Sequence, residues 1–220
     1  MITWSILIFL GALLVYVLFQ MFKGSQGQKA SPTAKTVNIP STPPPPAGAN
    51  VELTQARVGD VISIPGASSD FSDVDFTVDR RGAFEHLSRR WTDLSGEFRG
   101  ERVYIEVQPG AEAQLMAITD PRRLTLPDVG LSEDALAGFD QKQDPNASIT
   151  FEGREWFFES SREIGYFENE QGEGEGLYRW LFREQGGNRL LCVEKWEGEP
   201  FEARVAQRIN PRDVTVFRAA

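Results

Sequence analysis

The chain has one cysteine, one histidine and no acidic residue before Glu52. A lone Cys192 excludes an internal disulfide framework. Within the apolar run RLLCVE it reads as a small buried hydrophobe, not a nucleophile. With His86 the only imidazole, zinc sites of ordinary ligand composition are out of reach. The nearby Arg89 and Arg90 would lower its proton affinity, so His86 reads as a surface or strand-edge residue and not as a general base. A serine-hydrolase elbow of the form Gly-x-Ser-x-Gly is missing. The glycine-rich stretch GEGEG lacks the Lys-Ser/Thr pair that holds phosphate and magnesium. No catalytic constellation, metal site or cofactor is therefore expected, and any enzyme built from this inventory would have to work with carboxylates.

Charge is unevenly distributed along the 220 residues. Lys23, Lys29 and Lys35 are the only charged side chains before Glu52, leaving 20 basic against 32 acidic residues beyond them, a balance of −12. A domain of that sign repels nucleic acid and anionic headgroups, so nucleic acid is excluded as a partner. It favours cations or a protein with a basic surface.

Ile2 to Phe22 runs without a charge, and about 20 helical residues cross a bilayer core. No basic residue precedes the run and it is long for a cleaved signal, so 1–22 reads as a single-pass transmembrane anchor whose partner is the lipid bilayer. Positive charge follows the span, which puts the N-terminus outside and the acidic domain in the cytoplasm of a bacterial inner membrane. Residues 23–50, rich in Gly, Ser, Gln and Ala and containing Pro43 to Pro46, read as a disordered linker.

From residue 51 the chain reads as strands: ARVGDVISI, DFTVD, ERVYIEV, AQLMAI and RRLTL, then ITF, REWFFES, EIGYFE, LYRWLF, NRLLCVEKW, FEARVAQ and DVTVF. Ser95-Gly96 and Pro109-Gly110 are expected to be turns between them. The one helical candidate is Leu131 to Phe139, with Ser132 as N-cap. The fold class expected is all-β, mostly antiparallel, two tandem units forming a barrel or sandwich, in one barrel or two, with a short helix, beside the N-terminal transmembrane helix.

Two segments echo each other: Asp120-Pro121-Arg122-Arg123-Leu124-Thr125-Leu126 and Asn210-Pro211-Arg212-Asp213-Val214-Thr215-Val216. Aligned on the echo, Trp91 stands 15 residues before Glu106, and Trp180 stands 14 before Glu194. Gly59 and Gly153 each divide an opening pair of strands. The pattern predicts two tandem related β units, approximately 56–126 and 148–218, each turning at the Asx-Pro step and closing with a short strand. Trp91 and Trp180 are expected as core plugs at corresponding positions. Glu106 and Glu194 are expected to pair with Arg122 and Arg212.

Two acidic clusters remain. Asp70, Asp73 and Asp75 in DFSDVD lack the turn glycine and terminal Glu of a calcium loop and read as a solvated loop. Glu168, Glu170, Glu173 and Glu175 surround glycines in ENEQGEGEG, a charged hairpin tip whose carboxylates would converge on ammonium groups.

GDVISI, the Trp91 strand, FEGREWFF, YRWLF and LLCVEKWEGEPFEARVAQRINPRDV together resemble the bacterial domain-of-unknown-function family 4178, over roughly Ala56 to Arg218. The sequence departs from the family pattern in ENEQGEGEG and from Leu126 to Asp144. The resemblance implies a small β-rich domain without an assigned activity, associated with membrane-stress and polyamine-related gene neighbourhoods. The leading expectation is a membrane-tethered protein-interaction module. The alternatives are a sensor of small cations such as polyamines through Glu168 to Glu175, and a carboxylate-based hydrolase using Glu106 and Glu194.

Overall fold

The alternation in VDFTVD sets the first long strand: Val74, Phe76 and Val78 are buried while Asp75, Thr77 and Asp79 face solvent. The structure, a computed structural model, describes residues 52–110 and 113–219. The expected anchor at 1–22 and linker at 23–50 lie outside the described residues. Among the described residues no helix is long and apolar enough to cross a membrane.

Eleven strands are described: β1 (Val61–Ile64), β2 (Val74–His86), β3 (Arg89–Phe98), β4 (Glu101–Gln108), β5 (Gln114–Ile118), β6 (Ser148–Phe151), β7 (Arg154–Glu168), β8 (Glu175–Glu184), β9 (Arg189–Trp196), β10 (Phe201–Ile209) and β11 (Thr215–Phe217). Every ladder is antiparallel, in the order β11-β1-β2-β3-β4-β5-β10-β9-β8-β7-β6. A further pairing, Gly82 to Glu85 on β2 against Gly165 to Glu168 on β7, closes eight of these strands into one barrel. Strands β1 and β11 extend from β2 on one side, and β6 extends from β7 on the other.

The two halves are consecutive meanders, β1–β5 and β6–β10, that meet at the β5/β10 and β2/β7 seams. Each long strand carries a bulge at the same place. One residue, Asp79, is inserted between Val78 and Arg80, and Glu159 between Phe158 and Ser160. An inserted residue turns the following side chains to the other face. Val78 and Phe158 thus pack in the outer layers, whereas Phe84 and Ile164, further along the same strands, belong to a separate inner cluster. The bulges allow one strand to serve both a covering layer and the barrel wall.

The wall is apolar on its outer face. Outside the first half, Ile62, Phe76, Leu94, Ile105 and Val216 pack under β1 and β11. Outside the second half, Trp156, Phe158, Trp180 and Phe182 pack against the helix α1 (Glu133–Lys142) and the segment from Leu124 to Leu131. The helix begins where its cap predicts: the Ser132 hydroxyl oxygen accepts from the Ala135 N–H at 3.2 Å. Its last turn is fixed through Asp140, whose carboxylate accepts from Tyr178 and Ser161 of the wall.

Several expectations are corrected. Ser95-Gly96 is no turn but the interior of β3, where backbones approach closely. A Cβ on Gly96 would lie 2.2 Å from the Thr77 carbonyl oxygen. Gly96→Ala is accordingly expected to cost about 3 kcal/mol, from overpacking against backbone that cannot yield. A urea unfolding midpoint equal to that of the parent would contradict it. REWFFES and EIGYFE are one strand, β7, bent by its bulge. RRLTL contributes a single bridge, Leu124 to Ala203, in place of a strand. Gly153 lies between β6 and β7, whereas Gly59 precedes β1, so these glycines do not correspond.

The Asx-Pro echo is real in local geometry. Asp120 and Asn210 each accept from the N–H two residues on, at 3.0 Å. The turns nevertheless stand at different ladder positions. Asp120 lies four residues past Met116, the partner of Glu106, and Asn210 eight past Glu202, the partner of Glu194.

The ends of the domain meet at Asp60. This buried carboxylate accepts from the Arg57 N–H, the Arg218 guanidinium and the Ala219 N–H, at 2.9, 3.0 and 3.1 Å.

Candidate site in the barrel lumen

One face of every wall strand points inward, and the proof is a contact. Arg179 on β8 and Glu106 on β4 are four strands apart in either direction around the ring, yet their side chains meet at 2.9 Å. Only the interior connects them. Both are 3 % exposed at the side chain.

Arg179 is held from two sides. Its Nη1 and Nη2 donate to Glu106 at 2.9 Å each, and its Nε and Nη2 donate to Glu194 at 2.7 and 2.6 Å. An indole N–H caps each carboxylate: Trp91 donates to Glu106 at 2.9 Å and Trp196 to Glu194 at 3.3 Å. The Arg179 guanidinium also lies 4.7 Å from the Phe84 ring centroid. Burial alone would loosen its proton, but the charges of Glu106 and Glu194 outweigh that and hold its pKa well above the ordinary value. Cys192 lies beside this group, its thiol pushed well up by burial.

Counted from the two bulges, Glu106 corresponds to Glu194 and Asp93 to Arg179. Trp91 corresponds to Leu177, and Trp180 to Leu94. The expected equivalence of Trp91 and Trp180 is therefore overturned. Trp91 packs inside with Phe84, Ile164 and Leu177, and Trp180 packs outside with Phe201. Trp180 stands three residues past Leu177, the counterpart of Trp91, and an odd offset along a strand reverses the face; the longer β8–β9 hairpin hides this in the spacings 15 and 14. The expected ion pairs are corrected too. Glu106 and Glu194 share Arg179, while Arg122 pairs with Asp120 at 2.6 Å and Glu152 at 2.7 Å. Pro121 and Pro211 belong to the two turns, and Arg212 follows the second.

Asp93, opposite Glu106 in the β3/β4 ladder, is 5 % exposed and lines a cavity of about 400 Å³ that opens at the β9–β10 hairpin. Its carboxyl makes no hydrogen bond among the described residues. Burial, then the neighbouring charge of Glu106, push its pKa up to about 8. Phe84, Tyr104, Tyr166 and Trp196 form aromatic walls. Burial lifts the Tyr166 phenol to about 12.

The carboxylates around this cavity outnumber the guanidiniums six to four. Arg179 is engaged by Glu106 and Glu194, and Arg204 and Arg123 by Glu202. Asp93, Glu175 and Glu199 are then left against Arg80, an acidic surplus facing the opening.

The four glutamates of the hairpin tip do not converge. Glu175 reaches the cavity mouth. Glu170 pairs with Arg81 at 3.0 Å, and its carbonyl accepts from Arg90 at 2.6 Å. Glu168 and Glu173 are exposed. Asp70 bonds Arg99 and Ser72, Asp73 accepts from the Gly66 N–H, and Asp75 is exposed on β2. Among the described residues no group of three His, Cys, Asp or Glu is arranged to hold a metal. The Nδ1–H of His86 donates to the Glu163 carbonyl at 2.7 Å.

Sequence reasoning missed Asp93 and Arg179 as the centre of the site. The available signal was a charged residue in the middle of two strands, WTDLS and LYRWLF, that are otherwise apolar or small.

The fold and site define a closed eight-stranded antiparallel barrel with a polar, partly hollow interior, the size of barrel that encloses side chains or one small ligand. The sequence profile of the domain of unknown function DUF4178 matches residues 64–211, and the chain belongs to that family. Comparison with curated proteins and with solved structures finds no match to either.

Proposed function

We propose that the chain is a membrane-tethered binding module whose barrel takes up a small organic cation, an amine of the polyamine class, through the acidic mouth of the lumen. The observation that carries this reading is Asp93, 5 % exposed, whose carboxyl lines the cavity and has no hydrogen-bond partner among the described residues. An ammonium group entering beside it gains a charge-assisted hydrogen bond, aromatic faces for its methylene chain and the outer carboxylates of Glu175 and Glu199. Support for the tether is the uncharged run Ile2 to Phe22 followed by Lys23, Lys29 and Lys35. On this reading a cytoplasmic domain on a 28-residue linker reports the ligand to a protein partner at the inner face of the membrane.

Calorimetry of the full chain with spermidine tests the proposal. Binding is expected at low salt, weaker at high salt as screening shortens the reach of Glu175 and Glu199. Near neutral pH the ligand displaces the Asp93 proton, so the heat should change with the ionisation enthalpy of the buffer. Asp93→Asn should abolish that buffer dependence and weaken binding about tenfold. Absence of heat at either salt defeats the reading.

A further inference from the structure

The opposite end of the barrel carries a second cavity, of about 590 Å³, with the reverse electrostatics. Its lining includes His86, Arg89, Arg90 and Arg162, a floor formed by Trp91, and the polar side chains of Ser88, Gln108 and Gln114. No carboxylate occurs among the described lining residues, in a chain whose formal net charge is −9.

Among the described residues, two of these guanidiniums have no counter-charge in contact. Arg162 projects into the lumen beside Arg179, its ladder partner on β8. It lies 6.0 Å from the Trp91 ring centroid, and its buried Nε has no hydrogen-bond partner. Burial, then the neighbouring Arg179 charge, lower its pKa. Arg179 is saturated by its two glutamates and offers Arg162 only repulsion. Arg89, at the start of β3, makes no ion pair among the described residues. Arg90 is partly committed, to Glu85 at 3.4 Å and the Glu170 carbonyl. With Nδ1 of His86 donating to Glu163, Nε2 is the nitrogen left for another group.

A recessed, half-desolvated guanidinium with no anion raises the free energy of the empty state, and a ligand that supplies the anion removes that cost. Guanidiniums recognise phosphate and carboxylate oxygens through paired N–H donors. Three cationic or donor groups around one void, with amides and a hydroxyl beside them, match a dianion with several acceptor oxygens better than a single carboxylate. The Trp91 floor matches a flat or apolar body attached to it.

We infer that the cavity bounded by Arg89, Arg162, His86 and Trp91 is a binding site for a small phosphate monoester, separate from the acidic mouth at the other end of the lumen.

Titration of the full chain with phenyl phosphate, inorganic phosphate and benzoate, followed through tryptophan fluorescence and calorimetry, tests the inference. Phenyl phosphate is expected to bind best, inorganic phosphate more weakly and benzoate at least tenfold more weakly than phenyl phosphate. Arg162→Met and Arg89→Gln should each weaken phenyl phosphate about tenfold, and neither should change spermidine binding at the far mouth. Arg162→Met removes a repulsive neighbour of Arg179, so its unfolding midpoint should not fall; the exposed Arg89→Gln provides the same readout should it do so. Equal binding of benzoate and phenyl phosphate, absence of binding by both phosphates, or unchanged affinity in both variants would overturn the inference.

Discussion

Replacing Arg179 by methionine is expected to lower the unfolding free energy by about 4 kcal/mol, because two buried carboxylates lose the one cation they share. Glu106 reaches Arg179 from across the lumen and Glu194 from the neighbouring strand β9, at distances between 2.6 and 2.9 Å. Without the guanidinium, Glu106 keeps only the Trp91 indole and Glu194 the Trp196 indole and the Cys192 thiol as donors. Single domains are stable by about 5–15 kcal/mol, so the variant stands near the limit of folding. Arg179→Lys should rescue little, since one ammonium cannot present the two-sided fork that meets both carboxylates. Adding Glu106→Gln and Glu194→Gln to Arg179→Met should recover most of the loss, because the uncompensated charges go with their partner. Urea unfolding of the three variants provides the check; a loss below about 1 kcal/mol in the methionine variant would show that the centre is not the keystone of the lumen.

The second large effect depends on pH and belongs to Asp93. Its pKa is pushed up to about 8, above the 3.8 of an exposed aspartate in the unfolded chain. Between those two values the folded chain holds a proton that the unfolded chain has released. Stability must then fall as pH rises across that window, by about 1.4 kcal/mol per pH unit for one such group, and level off beyond it. Asp93→Asn has nothing to titrate, so it should match the parent near pH 4 and exceed it by several kcal/mol near pH 8. The carboxylates with lowered pKa act in a different window. Asp120 and Glu152, bonded to Arg122, contribute stability that is present above the unfolded pKa and lost as pH falls below about 4. Thermal unfolding of parent and variant from pH 4 to pH 9 separates the two windows. Parallel curves would exclude Asp93 as the buried proton carrier.

The strand content, the capped helix and the all-β class were legible because they rest on local chemistry: alternation in VDFTVD, a serine before an acidic first turn, and glycine turns. Barrel closure was not legible. It depends on the bulges at Asp79 and Glu159, each of which inserts one residue and reverses a strand's facing without any distinctive residue to announce it. The paired glutamates could be found by spacing because both occupy the same rung of their meanders. The tryptophans misled for the same reason in reverse: Trp91 and Trp180 differ by three rungs, an odd number masked by the longer β8–β9 hairpin and decisive in a sheet. Strands such as LYRWLF are buried on both faces, so alternation cannot reveal that Arg179 looks inward while Trp180 looks out. Of the candidate site, Glu106, Glu194 and Glu175 could be named from the sequence; Asp93 could not, because its character comes from burial and from a neighbour across the ladder.

The clasp at Asp60 has a practical outcome. One carboxylate gathers the N–H of Arg57, the guanidinium of Arg218 and the N–H of Ala219, so the polypeptide enters and leaves the barrel through a single knot. Ala219, the last described residue, is thereby tied to the segment that opens β1. A bulky group carried on Ala219 would therefore crowd that clasp and be expected to loosen it.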